Sequence, residues 1–494
     1  MPHEILFVGD NPYSDVQAPR RLGIEAVLLR DAEETRRRVR LQLLTRLSCG
    51  NPFWVGNLAR EIIETHPVRL RRTRCPDYEL GVLLAPAFIA FVRDIIDQAR
   101  QLGLERLFFL SREGLTFLRL YRRLTHVLEL VDGAPAACYL AVSRLATFLP
   151  SLERLEWGEL VRLWRQYPRQ SLRRLLRNLS LPAEEFEPLA VRAGFQDLDA
   201  PIDTPEVHGP LQAFLADAEV QRRFYVCRDR ARELLGEYLA QKGFFGGRKV
   251  GIVELGWKGS MQDNIVRAFR HRVTCPIVHG LYFALAHVAA DDLPGSYKHG
   301  YLLDTRRGDW TEEAVLKNGP VFEMFSSAAH GGVMGYQRVG GGAGRVKPVL
   351  AADRVERNNL RRFARNVFAG MEDYTCEYLE VAPLIPVSGA ELKPYVLDQL
   401  RRYILYPTAQ EARNFLRYSH VESFGVFQVS TYGFKGSWRR ILLGGSPLGL
   451  LRRLIQTLNE QFWPEACVRR SRVPLGNFLY DLQQTRYARG VAVE

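Results

Sequence analysis

Gly247–Arg270 reads GRKVGIVELGWKGSMQDNIVRAFR, and the reading of the fold starts from it. Val250 to Leu255 is a short apolar run with one acid, Glu254, near its end. Gly256-Trp257-Lys258-Gly259-Ser260 follows as a tight polar loop, and Met261 to Phe269 takes up helical spacing with Ile265, Val266 and Phe269 apolar. Strand, loop and helix in that order aim free N–H groups and a helix N-terminus at one point. Lys258 adds a mobile cation and Ser260 a hydroxyl, so the stretch suits a phosphate or diphosphate. It is not a P-loop, because the GxxxxGK[ST] spacing is absent. The plainer alternative is a buried turn with a surface lysine.

The pattern recurs upstream. In ERLFFLSREGLTFLRLYRRL, Leu107 to Leu110 is an expected strand, Ser111-Arg112-Glu113-Gly114 a loop, and Leu115 to Leu124 a helix. Ala137 to Val142 is a further strand, ending in Ser143-Arg144. Polar groups at strand C-termini are where open α/β sheets bind ligands. Arg112 and Arg144 are candidate phosphate clamps, with Ser111 and Ser143 beside them, and Glu113 would hold sugar hydroxyls or a metal. An Arg–Glu pair that merely fixes a turn is the alternative at Arg112 and Glu113.

Downstream, Ile277 to Leu285 reads as another strand, whose His279 alternates with apolar positions as a core histidine would. Gly319–Tyr336, GPVFEMFSSAAHGGVMGY, offers Glu323 as a base and His330, beside two glycines, as a group reaching substrate; helix capping explains either equally well. With Glu113, Glu254 and Asp263, these complete the candidate catalytic set. GGGAG at Gly340–Gly344 reads as a hairpin tip or lid, and Thr408 with Glu411 as a capping box. The expected class is α/β, a Rossmann-like open sheet in two parts with large helical insertions. The parts are residues 31–150 and 246–425, separated by a helical insertion over 151–245 and followed by a basic amphipathic region over 426–494. Within that last region Phe434–Trp463 alternates arginine pairs with Leu, Ile and Trp, as a membrane-surface helix or a packing helix would.

Composition narrows the partners. A formal charge of +13 over 494 residues favours an anionic partner or reflects an arginine-rich proteome. No zinc-finger spacing or aromatic-plus-basic stripe points to nucleic acid. Seven scattered cysteines without a CxxC fit a reducing cytoplasm and exclude a disulfide scaffold. The first residues lack signal-peptide organisation, and no apolar run is long enough to span a bilayer.

The N-terminus, HEILFVGDNPYSDVQAPRRLGIEAVLLR, resembles the fourth motif of haloacid-dehalogenase-type phosphatases, GDxxxxD with a late glycine. The resemblance implies that Asp10 and Asp15 hold magnesium, a hard cation suited to carboxylate oxygens. It also demands a DxDx[TV] nucleophile upstream, and no such motif occurs in the chain. Residues 1–30 are therefore expected to be a partial phosphatase-like fragment, either the end of a domain whose nucleophile precedes Met1 or a half-domain kept for packing.

Residues 81–425 resemble the domain that follows such phosphatases in some proteins of bacterial surface-polysaccharide clusters, through FFLSREG, YLAVSR, VELGWKGSMQDN, FEMFSSAAHGGVMGY and YPTAQEARNF. Several members carry aspartate where Glu113 stands. The resemblance implies a glycosyltransferase taking a phosphorylated sugar donor such as phosphoribosyl diphosphate; the cysteines and the basic tail add a cytoplasmic place at the inner face of the membrane. The acceptor would be a glycan or lipid-linked glycan, and a separate phosphatase would act afterwards. A phosphatase fragment and a non-catalytic scaffold of polysaccharide assembly are the competing expectations.

Overall fold

The computed structural model describes residues 4–9, 11–29, 75–128, 133–286, 293–305, 319, 322–323, 328, 330–340, 344–352, 363–382, 388–405, 407–422, 428–431, 457–458, 461 and 463–471. Asp10, the basic run 69–74 and most of the basic amphipathic stretch at 434–463 lie outside them.

Five parallel strands make the central sheet. They are β3 (Arg106–Leu110), β4 (Ala136–Leu140), β5 (Lys249–Glu254), β6 (Ile277–Leu285) and β7 (Ser296–Asp304), numbered after an N-terminal pair, β1 (Leu6–Gly9) and β2 (Glu25–Leu28). Their order across the sheet is β4-β3-β5-β6-β7. The chain thus steps outward from β3 to β4, then crosses back over β3 to build the rest. The two parts expected of the open sheet form it together, and the order reverses between β3 and β5. At such a switch point the two following loops diverge to opposite faces and leave a crevice outside the strand ends.

Burial on both faces explains why the inner strands β3, β5 and β6 are largely apolar. Leu107 and Phe109 of β3 and Val253 of β5 join the core on one face, while Phe108, Leu110, Val250 and Ile252 join the core on the other. The first face is covered by α2 (Pro76–Leu102), α3 (Gly114–Val127), α11 (Arg365–Val381) and α12 (Gly389–Leu405). α2 and α11 cross on glycines: a Cβ at Gly81 would lie 2.0 Å from the Val367 carbonyl oxygen, and one at Gly370 2.1 Å from that of Tyr78. α2 stops at Gly103, whose φ of 64° allows the Leu104 N–H to reach back to Ala99.

The other face is covered by α9 (Ala218–Gln241), α10 (Ser260–Phe269) and the antiparallel hairpin β8 (Val333–Val339) with β9 (Arg345–Leu350). The hairpin's strands flank the GGGAG segment expected as a hairpin tip or lid, of which residues 341–343 lie outside the described residues. Between β4 and β5 runs the helical block: α4 (Arg144–Phe148), α5 (Trp157–Gln166), α6 (Leu172–Asn178), α7 (Ala183–Arg192), α8 (Gly209–Ala216) and then α9. It has a core of its own, in which Leu160, Leu172, Phe186, Leu211 and Phe224 are fully buried. α13 (Ala409–Phe415) begins at Thr408 with the expected capping box.

At the N-terminus, β1 and β2 pair in parallel, joined by a π-helical turn over Pro12–Gln17 and the short α1 (Ala18–Arg21). Among the described residues no helix is long and apolar enough to cross a membrane.

Candidate functional site at the sheet switch point

Glu254 is the last residue of β5 and sits beside the switch point. It is 8% exposed, and its Oε2 has no hydrogen-bond partner among the described residues. Burial, reinforced by the Glu113 and Glu323 carboxylates, pushes its carboxyl up to about 8; Arg144 and Lys298 pull the other way. Burial dominates because an ion loses its water there. Three carboxylates and two cations, carried on five separate parts of the chain, therefore converge around the tip of β5.

The loop after β5 is shaped by close packing. A Cβ at Gly256 would lie 2.3 Å from the Ala284 carbonyl oxygen. Gly259, the residue before α10, has a φ of 69°, and a Cβ there would lie 2.7 Å from the Tyr282 hydroxyl. Only glycine suits this position. No side chain caps the start of α10, where Ser260 is the first helical residue. Between the glycines, Trp257 donates from Nε1 to Glu323 Oε1 at 2.8 Å. Lys258 is exposed, and its carbonyl accepts from Lys298 Nζ at 3.2 Å.

The loop after β3 places Arg112 and Glu113, both half-buried, next to this cradle. Glu113 Oε2 accepts from the Arg112 N–H at 3.0 Å. Ser111 has a different role from the one expected: it is buried, donates to the Val142 carbonyl and accepts from the Val142 N–H at 2.9 Å. Ser143 likewise donates to the Val333 carbonyl and caps α4 by accepting from the Ala146 N–H at 3.0 Å. Both serines tie loops together. Arg144 donates to the Tyr167 hydroxyl at 2.6 Å, which joins it to the helical block.

His330 comes to the same edge of the sheet through β4. Its Nε2 lies 2.7 Å from the Tyr139 hydroxyl and its Nδ1 2.9 Å from the Gly331 carbonyl. The carbonyl can only accept, so Nδ1 carries the proton and Nε2 accepts from the tyrosine. Burial, then Glu113, raises the Tyr139 phenol well above its ordinary range, which keeps it a donor. Asp263, in the first turn of α10, is buried and its Oδ2 accepts from Lys298 Nζ at 2.6 Å.

Lys298, Tyr139 and Tyr167 are absent from the sequence reading. Lys298 was the most legible of them: a charged residue inside SYKHGYLLD, a run whose strand went unread. A second missed link is Arg162 of α5, which donates to Asn264 Oδ1 of α10 at 3.2 Å and fastens the helical block to the cradle helix.

Asp15 stands apart. Its Oδ2 accepts from the Asn11 N–H at 2.9 Å and its Oδ1 from the Ser14 hydroxyl at 2.7 Å. Asp10, expected beside it in a magnesium site, lies outside the described residues. Among the described residues, no group of three or more His, Cys, Asp or Glu side chains is placed to hold a metal. No protein-family model matches the chain, and no curated protein matches it.

Proposed function

We propose that the chain is a glycosyltransferase of bacterial surface-polysaccharide biosynthesis that uses a sugar diphosphate donor, with phosphoribosyl diphosphate the donor of choice. The observation that carries this reading is the buried Glu254 carboxyl, raised to about 8 beside the Gly256–Gly259 loop. A carboxyl that keeps its proton at neutral pH is suited to meet a leaving diphosphate as an acid. The resemblance of residues 81–425 to the domain in polysaccharide clusters supports the substrate class.

In the reaction, the bond between the anomeric carbon and the diphosphate oxygen breaks, and its electron pair leaves with the diphosphate. The acceptor hydroxyl oxygen forms the new bond to that carbon. Its proton passes to the less buried Glu113 carboxylate, while Glu254 donates to the departing oxygen. Lys258, Arg112 and Arg144 surround the diphosphate, with the N–H groups that open α10; fixed donors of this kind stabilise charge as it develops. Glu323 holds Trp257 against the loop, and His330 orients Tyr139 toward the sugar. A magnesium ion held at the Glu113 or Asp263 carboxylate would add further neutralisation. The acceptor is a glycan or lipid-linked glycan met at the inner membrane face, and a separate phosphatase then hydrolyses the phosphate from the transferred sugar.

Incubation with phosphoribosyl diphosphate and a short glycan acceptor, beside a panel of nucleotide sugars, tests the reading. A phosphoribosylated glycan and released diphosphate are expected. Turnover of a nucleotide sugar alone would replace the donor and keep the enzyme class. Hydrolysis of phosphoesters that is lost in Asp15→Ala would overturn the class.

A further inference from the structure

The buried pair formed by Lys298 and Asp263 lies directly beneath the cradle. Lys298 comes from β7, the edge strand, and its side chain is 12% exposed against 7% for Asp263. Its ammonium makes two described contacts at once, to Asp263 Oδ2 at 2.6 Å and to the Lys258 carbonyl at 3.2 Å. Its Cε lies 3.0 Å from where a Cβ on Gly259 would stand, so the stem packs against the glycine that precedes α10. One side chain thus touches the loop backbone, the glycine and the first turn of the helix.

The charge arrangement gives these contacts a consequence. Asp263 places a carboxylate in the first turn of α10. A negative charge there is favourable to the helix but repels any second anion at the same N-terminus. A phosphate arriving at the Gly256–Gly259 loop would meet that repulsion in a poorly solvated site, where it is weakly screened. Lys298 lies against the same carboxylate and cancels its charge.

We propose that Lys298 is a positioning residue of the donor site: it holds the Gly256–Gly259 loop to α10 and neutralises Asp263, so that the helix N-terminus accepts a diphosphate. This rests on the donor-site reading above, and it assigns to β7 a part in anion binding that no motif marks. Lys298 does not touch the reacting atoms; it acts through Lys258 and Asp263.

Two measurements on the full chain test it. The first is calorimetric titration with inorganic pyrophosphate and with phosphoribosyl diphosphate. Lys298→Met is expected to weaken both by about tenfold to thirtyfold, the size of a partly buried charge interaction at a helix end. Adding Asp263→Asn to Lys298→Met should recover most of the loss, because the repelling charge is gone. Lys298→Arg, which keeps the charge, should stay within a few-fold of the natural protein. A purely structural lysine would show no such recovery. The second measurement needs no ligand: amide hydrogen exchange across Gly256–Phe269 should accelerate in Lys298→Met while that of α2 stays unchanged. Unchanged exchange in the loop, or pyrophosphate affinity insensitive to Lys298→Met, overturns the proposal. If the natural protein binds neither ligand while the local exchange still accelerates, Lys298 only holds the loop to α10, and its donor-site role falls together with the reading it rests on.

Discussion

Two places in this molecule carry an acid at or beyond the end of a parallel strand, Asp15 in the turn after β1 and Glu254 as the last residue of β5, and they differ in almost everything else. Leu6, Phe7 and Val8 of β1 are 58%, 40% and 53% exposed, whereas Val250, Ile252 and Val253 of β5 are fully buried. Asp15 is half-buried and satisfied by its own loop, through Asn11 and Ser14. Glu254 is enclosed by layers on both sides of the sheet, keeps an oxygen without a hydrogen bond among the described residues and is raised to about 8. The local motifs are of one kind. What makes one acid chemically unusual is the layer of structure over it, because desolvation needs covering elements and a turn alone supplies none.

The largest test of that contrast is Glu254→Gln. It should lower transfer by about two to four orders of magnitude, the usual contribution of a positioned proton donor. The natural protein should lose activity as pH rises past about 8, where Glu254 ionises, and the variant's residual rate should lack that limb. A pH–rate profile of both proteins decides it; identical limbs would remove Glu254 from the reaction.

Lys258→Ala comes next. Loss of one cation from the cradle should cost roughly two to three orders of magnitude in rate, by analogy with the removal of one preorganised donor. Folding stability should shift by no more than about 0.5 kcal/mol, since the side chain is exposed. Lys258→Arg should rescue only in part, because a planar guanidinium and a compact ammonium fill different space. Donor affinity and melting temperature, measured on the same variants, separate binding from folding.

The same buried carboxyl also predicts a stability effect of definite sign. Glu254 titrates ordinarily at 4.5 and in the folded protein at about 8. Between those values the folded form keeps a proton that the unfolded chain has released. Its contribution is therefore complete below about 4.5, is lost as pH rises toward about 8, and changes no further above that. Glu254→Gln removes this slope and should stabilise the protein at pH 8.5 by roughly 2–5 kcal/mol relative to its effect at pH 4.5. Denaturant melts at the two pH values measure the difference. A gain at high pH paired with lost activity would mark Glu254 as a site residue held at a cost in stability.

The smallest effect is expected at Asp15→Ala. It removes the bonds from Asn11 and Ser14 in an exposed turn, worth about 0.5–1.5 kcal/mol locally, and should leave transfer unchanged. Exchange of the Asn11 amide should rise while the five-stranded sheet keeps its protection. An effect of Asp15→Ala on transfer would erase the contrast between the two acids.

Much of the scaffold was legible in the chain. Apolar runs bounded by polar loops marked β3, β4, β5 and β6 to within two residues, because strands buried on both faces are largely apolar. Thr408 with Glu411 announced a helix start through bonds that span only three residues. Arg112, Glu113, Arg144, Glu254 and Lys258 also stand at or just beyond strand ends, as the order of apolar runs and polar loops in the sequence places them.

Other features depend on which elements meet in space. The two parts of the sheet joined when β5 paired with β3 across the whole helical block, a contact no local pattern encodes. Ser111 and Ser143 looked identical in type to ligand-binding hydroxyls, yet each found a carbonyl of another segment, at Val142 and Val333. Lys298 reached Asp263 only because β7 lies beside β6 and under α10. Sequence periodicity by itself determined which segments are strands and helices and where polar groups cluster, because those follow from backbone geometry repeated over a few residues. The tertiary structure alone decided which polar groups are desolvated, which are satisfied and which face one another, because burial and electrostatic partners are properties of the assembled layers.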